Sequence, residues 1–114
     1  PDDARTTIPA AAGVRILQAG DAVPGTQLVD QDGRTISLND FRGSALAVSF
    51  IYTRCPLPQF CPLIDRRYAA VQKLAAADPA LAGKIKLLSI SFDPQFDRAE
   101  ILRAHAKTVG AVRW

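Results

Sequence analysis

Two apolar runs, ALAVSFIYT at 45–53 and KIKLLSISF at 84–92, stand on either side of one helical pattern. That order leaves few folds open. A near-continuous apolar run such as 45–53 predicts a strand buried on both faces, which favours an interior and often parallel position. Between the runs, Ile64, Tyr68, Val71, Leu74 and Ala75 recur at helical spacing. Pro62 begins that helix, where its missing N–H costs nothing, and Asp78 with Pro79 ends it. The second run is read as a strand over 85–91, stopped by Asp93 and Pro94. A second helix is expected over 98–108, with Ile101, Leu102, His105 and Val109 on one side and Gly110 as its stop. Strand, helix and strand of this size form a right-handed crossover with a parallel pair.

Upstream, TQLVDQDGRTISL alternates about Asp32 and Gly33, a hairpin signal with strands over 27–30 and 35–37. LNDFRG reads as one helical turn closed by Gly43. Residues 1–24 are rich in Ala, Pro and Gly and are expected to form an extended arm, with a short turn at 10–12. The chain thus divides into an arm (1–24) and one α/β domain (25–114). Its 48% hydrophobic and 22% charged residues are ordinary globular values and argue against disorder. The net charge of +3 is scattered, with Arg66 and Arg67 the only adjacent basic pair, so a nucleic-acid partner is not expected. No run approaches the ~20 apolar residues of a membrane span. The chain starts at Pro1 without an initiator methionine, and is expected to be a processed or trimmed piece of a longer protein. Any membrane attachment would come through an N-terminal anchor missing from it.

Both cysteines of the chain fall in IYTRCPLPQFCPLID, with prolines at 56, 58 and 62. Cys55 and Cys61 follow the first strand and precede the helix, at the strand end where open α/β sheets place their chemistry. Three readings are open. A disulfide staple would close a loop of only seven residues, stabilising by roughly 2.4 kcal/mol. A redox pair gains from the helix N-terminus, whose free N–H groups and dipole favour a thiolate at Cys61; the three prolines restrict the loop in which the sulfurs must meet. A metal clip gains from two soft sulfur ligands, which suit Cu(I) without a further partner. Structural zinc takes four ligands, and the chain holds a single histidine.

The run SFIYTRCPLPQFCP, followed by a helix and then SISFDP, resembles the Sco/SenC family. GDAVPGTQLVDQDGRTISLNDFRG is similar to the entrance segment of that family and of redoxins generally. The resemblance extends from about Gly20 to Trp114. It implies a thioredoxin-like fold, with an N-terminal β-hairpin and then β-α-β-α, in which the final hairpin and helix are missing. It implies a copper protein of cytochrome c oxidase assembly, extracytoplasmic, periplasmic and tied to electron transport. Its partner would be oxidase subunit II or another redox protein. Cys55 and Cys61 would be both the metal ligands and the redox pair, either delivering copper to the dinuclear copper site or keeping that site's cysteines reduced. The alternative is a thiol–disulfide oxidoreductase that uses Cys55 and Cys61 without metal. Two departures stand out. Five residues separate the cysteines where the family usually has three. The family's copper-binding histidine lies beyond Trp114, so Cu(I) on two thiolates is expected and Cu(II) would need an imidazole this chain lacks. An incomplete sheet would also expose a strand edge, open to a domain-swapped or edge-paired oligomer.

Which cysteine attacks first is open at this level: exposure favours Cys55, the helix end Cys61. His105, in line with Ile101 and Val109, fits a packed helix residue better than a third ligand. Asp93 could tune thiol protonation or simply form the turn before Pro94. Arg54 could stabilise a neighbouring thiolate or lie solvated. Tyr52 and Phe60 are expected to pack around the loop, and Arg66 and Arg67 to form a wet helix face.

Overall fold

The computed structural model describes residues 13–112 and 114; the turn expected at 10–12 lies outside them. Residues 13–24 form no helix or strand. One turn of this arm is held by the Arg15–Asp21 ion pair at 2.9 Å and by the Gln18 N–H donated to Asp21.

Strands β1 (Gln27–Val29) and β2 (Thr35–Ser37) form the expected antiparallel hairpin, with Leu28 opposite Ile36. Its turn is built by Asp30, whose carboxylate accepts the N–H groups of Asp32 and Arg34, both at 2.9 Å. Gly33 takes the left-handed conformation (φ 76°) that this turn requires. A 3-10 turn over Leu38–Phe41 follows, started by a reciprocal Ser37–Asp40 capping box.

Strand β3 (Ala45–Ile51), helix α1 (Cys61–Ala77), strand β4 (Ile85–Ser91) and helix α2 (Ala99–Val109) complete the order. β3 and β4 pair in parallel from Ala45 opposite Ile85 to Ile51 opposite Ser91. Gly110, left-handed at φ 76°, caps α2 as its position suggested. Helix α1 lies on the sheet face that carries Ile85 and Leu87.

The expectation that β3 is buried on both faces is corrected. Ile51 is 3% exposed, but Val48 and Phe50, which share the opposite face, are 43% and 62% exposed. The cause is the sheet's width: β3 has one hydrogen-bonded neighbour among the described residues, and α1 covers one face only. The apolar residues buried in the described chain are Ile51, Cys61 and Leu87. An open cleft of about 800 Å³ lies along β4 and α2, lined by Leu28, Ile36, Leu87, Leu102 and Val109 among others.

Candidate dithiol site

The site forms where β3 and β4 end side by side. Beyond their last rung, the Phe92 N–H still reaches the Ile51 carbonyl at 3.0 Å, so both exit loops leave from one point. The first loop carries Cys55 and feeds into α1. It turns twice: the Cys55 N–H donates to the Tyr52 carbonyl (3.2 Å) and the Phe60 N–H to the Leu57 carbonyl (3.1 Å). Cys61 is the first residue of α1, with Pro62 behind it in the first turn. Both thiols are free; Cys55 is half-buried and Cys61 is buried.

Their environments differ in sign. Burial pushes the Cys55 thiol up, but the backbone of Leu57 and Cys61 and the side chains of Cys61 and Tyr52 outweigh it. The net result lies below the ordinary thiol value. Burial pushes the Cys61 thiol up as well. There the Tyr52 backbone opposes it, while the Cys55 side chain and the charges of Cys55 and Asp65 add to it, and Cys61 lies above the ordinary value. The expectation of a lowered Cys61 pKa is therefore corrected: desolvation first, then the Cys55 hydrogen bond and the charges of Cys55 and Asp65, raise it. Tyr52 shares a hydrogen bond with Cys55, which, with burial and the two thiol charges, raises its own pKa. In the reduced protein, iodoacetamide should alkylate Cys55 at least ~10-fold faster than Cys61. Peptide mapping of a labelling time course checks this; equal labelling would contradict the asymmetry.

The loop's root is held by a residue that sequence reasoning missed. Asp97, 5% exposed, lies just ahead of α2. Its carboxylate accepts the Thr53 N–H at 3.1 Å, the Thr53 hydroxyl, and the Ser91 hydroxyl at 2.5 Å. Burial would raise its pKa, but the Ser91 and Thr53 hydroxyls, the Thr53 N–H and the Arg54 charge overcome it and hold it below the usual carboxylate value. One buried carboxylate thus pins the ends of both strands. The available signal was an acid just before a helix start, with Thr53 and Ser91 each placed after a strand core.

Asp93 makes the turn expected of it, its carbonyl accepting the Phe96 and Asp97 N–H groups at 3.2 and 2.8 Å. Arg54 is exposed to solvent, its side chain 59% accessible. It pairs with Asp93 at 2.9 Å and covers the Phe96 ring at 4.0 Å, and it is not among the groups that shift Cys55. Tyr52 packs on Phe92 with ring centroids 4.8 Å apart. Phe60 does not pack as expected: it is 55% exposed. Arg66 and Arg67 are exposed, as expected.

His105 is half-buried and bonded through Nε2 to Asp65 Oδ2 at 3.0 Å. Asp65, one helical turn past Cys61 on α1, was also missed; the signal was a carboxylate at i+4 from a cysteine on an inward stripe. Among the described residues, no three His, Cys, Asp or Glu side chains cluster to hold a metal ion. The hydrogen bond to Asp65 raises the His105 pKa, burial opposes, and the Asp65 and Asp97 charges add to the rise. With the folded pKa raised, this pair stabilises fully below about pH 6.5, the unfolded value. That contribution is lost as pH rises through the folded pKa. His105→Gln should remove on the order of 1 kcal/mol at pH 6 and much less at pH 9. Urea unfolding at the two pH values checks it; an equal loss at both would contradict the charged pair.

Residues 17–112 match the SCO1/SenC family model. The chain belongs to the SCO1/SenC family. It is 29% identical over 77 residues to the SCO1 protein homolog of Bacillus subtilis (strain 168), covering 68% of this chain and 37% of that one. A SCO1/SenC family lipoprotein from Bacillus anthracis str. Ames superposes with TM-score 0.63 at 28% identity, over 74% of this chain and 47% of that one. Arabidopsis thaliana ScoI with copper bound superposes with TM-score 0.62 at 22% identity, over 73% and 49%, a likeness of fold. The fold is the α/β thioredoxin-like one of Sco proteins, and this chain spans about half the length of those structures. In this Sco-family chain, Cys55 and Cys61 stand where the sequence placed them, between a strand end and a helix N-terminus. No helix among the described residues is long and apolar enough to cross a membrane.

Proposed function

We propose that this Sco-family chain handles Cu(I) through Cys55 and Cys61 and hands it to the cysteines of an acceptor, the dinuclear copper site of cytochrome c oxidase subunit II. The observation that carries the reading is the pair of free, interacting thiols at the shared exit of β3 and β4. Copper is cargo here. Two sulfurs satisfy Cu(I), which accepts two soft ligands. A Cu(II) site would want an imidazole, and the one in this chain is engaged by Asp65. Family membership, a copper-bound protein of the same fold and a lipoprotein relative support an extracytoplasmic, membrane-anchored copper protein.

The unequal thiols also support the reducing role. Cys55, as thiolate, attacks one sulfur of an acceptor disulfide and releases the other as thiolate. Cys61 then loses its proton and attacks the Cys55 sulfur of the mixed disulfide, releasing the second acceptor thiolate. Two electrons pass to the acceptor, and Cys55–Cys61 becomes the disulfide.

The test is anaerobic titration of the reduced protein with Cu(I) against a competing chelator. One equivalent should bind tightly. No stoichiometric binding would remove the copper reading and leave metal-independent thiol–disulfide exchange.

A further inference from the structure

The loop from Tyr52 to Phe60 carries one thiol and leads to the other, so its shape sets how the sulfurs meet. Cys61 is fixed as the first residue of α1. Cys55 has no such anchor, because residues 52–60 form no helix or strand. Its position comes from the backbone at the loop's start. The Tyr52 carbonyl accepts the Cys55 N–H at 3.2 Å, and the Tyr52 backbone also hydrogen-bonds Cys61. The two thiols hydrogen-bond each other. One short piece of backbone therefore touches both halves of the dithiol.

The next residue holds that piece in place. Thr53 gives both its N–H, at 3.1 Å, and its hydroxyl to the Asp97 carboxylate. The Ser91 hydroxyl, from the last residue of β4, reaches the same carboxylate at 2.5 Å. Asp97 is buried, so these contacts lie beneath the loop and owe nothing to how its outer surface is covered. Hydrogen bonds to a charged acceptor are shorter and stronger than neutral ones. Without them, the loop's first fixed point moves back to Ile51, whose carbonyl accepts the Phe92 N–H at 3.0 Å. Tyr52 and Thr53 then gain freedom, and Cys55 with them. Reactions between held groups depend steeply on placement, and a shift of about 1 Å can cost on the order of 100-fold.

We propose that Asp97 is a positioning residue of the dithiol: through Thr53 it holds Cys55 against Cys61 and so favours formation of their disulfide. This rests on the dithiol reading above. Asp97 acts through Thr53 and takes no part in the bond changes themselves.

The experiment equilibrates the reduced protein with glutathione buffers. Oxidised glutathione takes two electrons from Cys55 and Cys61. The protein S–S bond forms, the glutathione S–S bond breaks, and the two thiol protons pass to the two glutathione thiols released. Acid quench, alkylation and intact mass give the equilibrium constant. A loss of stability shared by the reduced and oxidised forms cancels from it, so a merely structural role leaves it unmoved. Asp97→Asn should lower the constant at least ~10-fold and Thr53→Val at least ~3-fold, while Thr53→Ser, which keeps the hydroxyl, should stay within about 2-fold of wild type. Leu87→Ala, which empties buried space in the middle of β4, should also stay within about 2-fold. Constants for Asp97→Asn and Thr53→Val both within that margin would overturn the proposal and leave the dithiol reading intact. A fall for Leu87→Ala as large as for Asp97→Asn would overturn it as well, because loosening anywhere would then suffice. Where Asp97→Asn does not fold, Thr53→Val decides by itself. A wild-type protein that forms no internal disulfide in any of the buffers would remove the exchange reading beneath, and the proposal with it.

Discussion

Cys61→Ser protein mixed with a peptide disulfide should accumulate a mixed disulfide on Cys55, and Cys55→Ser protein should react on the order of 100-fold more slowly. The attacking species is the thiolate, so the faster sulfur combines the lower pKa with access. Cys55 has both: it is half-exposed, and the Leu57 and Cys61 backbones with the Cys61 and Tyr52 side chains overcome its desolvation. Cys61 has neither, being 7% exposed with its pKa raised by burial and by the charges of Cys55 and Asp65. Without Cys61 the first product has no resolving thiol and persists. Intact mass after acid quench distinguishes the adducts. A trapped adduct on Cys61, or equal rates for the two variants, would reverse the assigned roles. Copper should behave differently. Two-coordinate Cu(I) needs both sulfurs, so either variant alone should abolish tight binding. Asymmetry in exchange with symmetry in copper is the signature expected of this pair.

Much of this arrangement was legible in the sequence, because its signals are local. Alternation about Asp32 and Gly33 located the hairpin, and β4 runs over the expected residues. Proline 62 and Gly110 marked helix ends that the structure shows within a residue or so. Three matters were not local. The burial of β3 depends on how many elements cover it, so an apolar run could not reveal that Val48 and Phe50 stay in solvent. The pKa order of the thiols depends on desolvation and on Asp65, one turn down α1, rather than on position at a helix end. The pairs Asp97 with Thr53, and His105 with Asp65, join residues 44 and 40 positions apart. No periodicity reports such partners; only the crossover that aligns β3 with β4 brings them together.

The largest stability effect should come from one of these unread residues. Asp97→Ala should destabilise the protein by about 3 kcal/mol, because the Thr53 N–H and hydroxyl and the Ser91 hydroxyl lose a charged acceptor at a buried site. For a domain of this size that corresponds to a fall in Tm of roughly 10–20 °C. Asp97→Asn keeps one acceptor oxygen and should lose about half as much. The same network gives an acid limb. The folded pKa of Asp97 is depressed below its ordinary value of 3.8. Its stabilisation is therefore present above that value and lost as pH falls through the lower folded pKa. In Asp97→Asn the acid limb should flatten, while the loss above pH 5 remains. Calorimetric melts of wild type and both variants from pH 3 to pH 7 make the test. A change in Tm under about 2 °C for Asp97→Ala would mean the carboxylate does not join the two strand ends. The Thr53 root of the Cys55 loop would then have to be held by β3–β4 pairing alone.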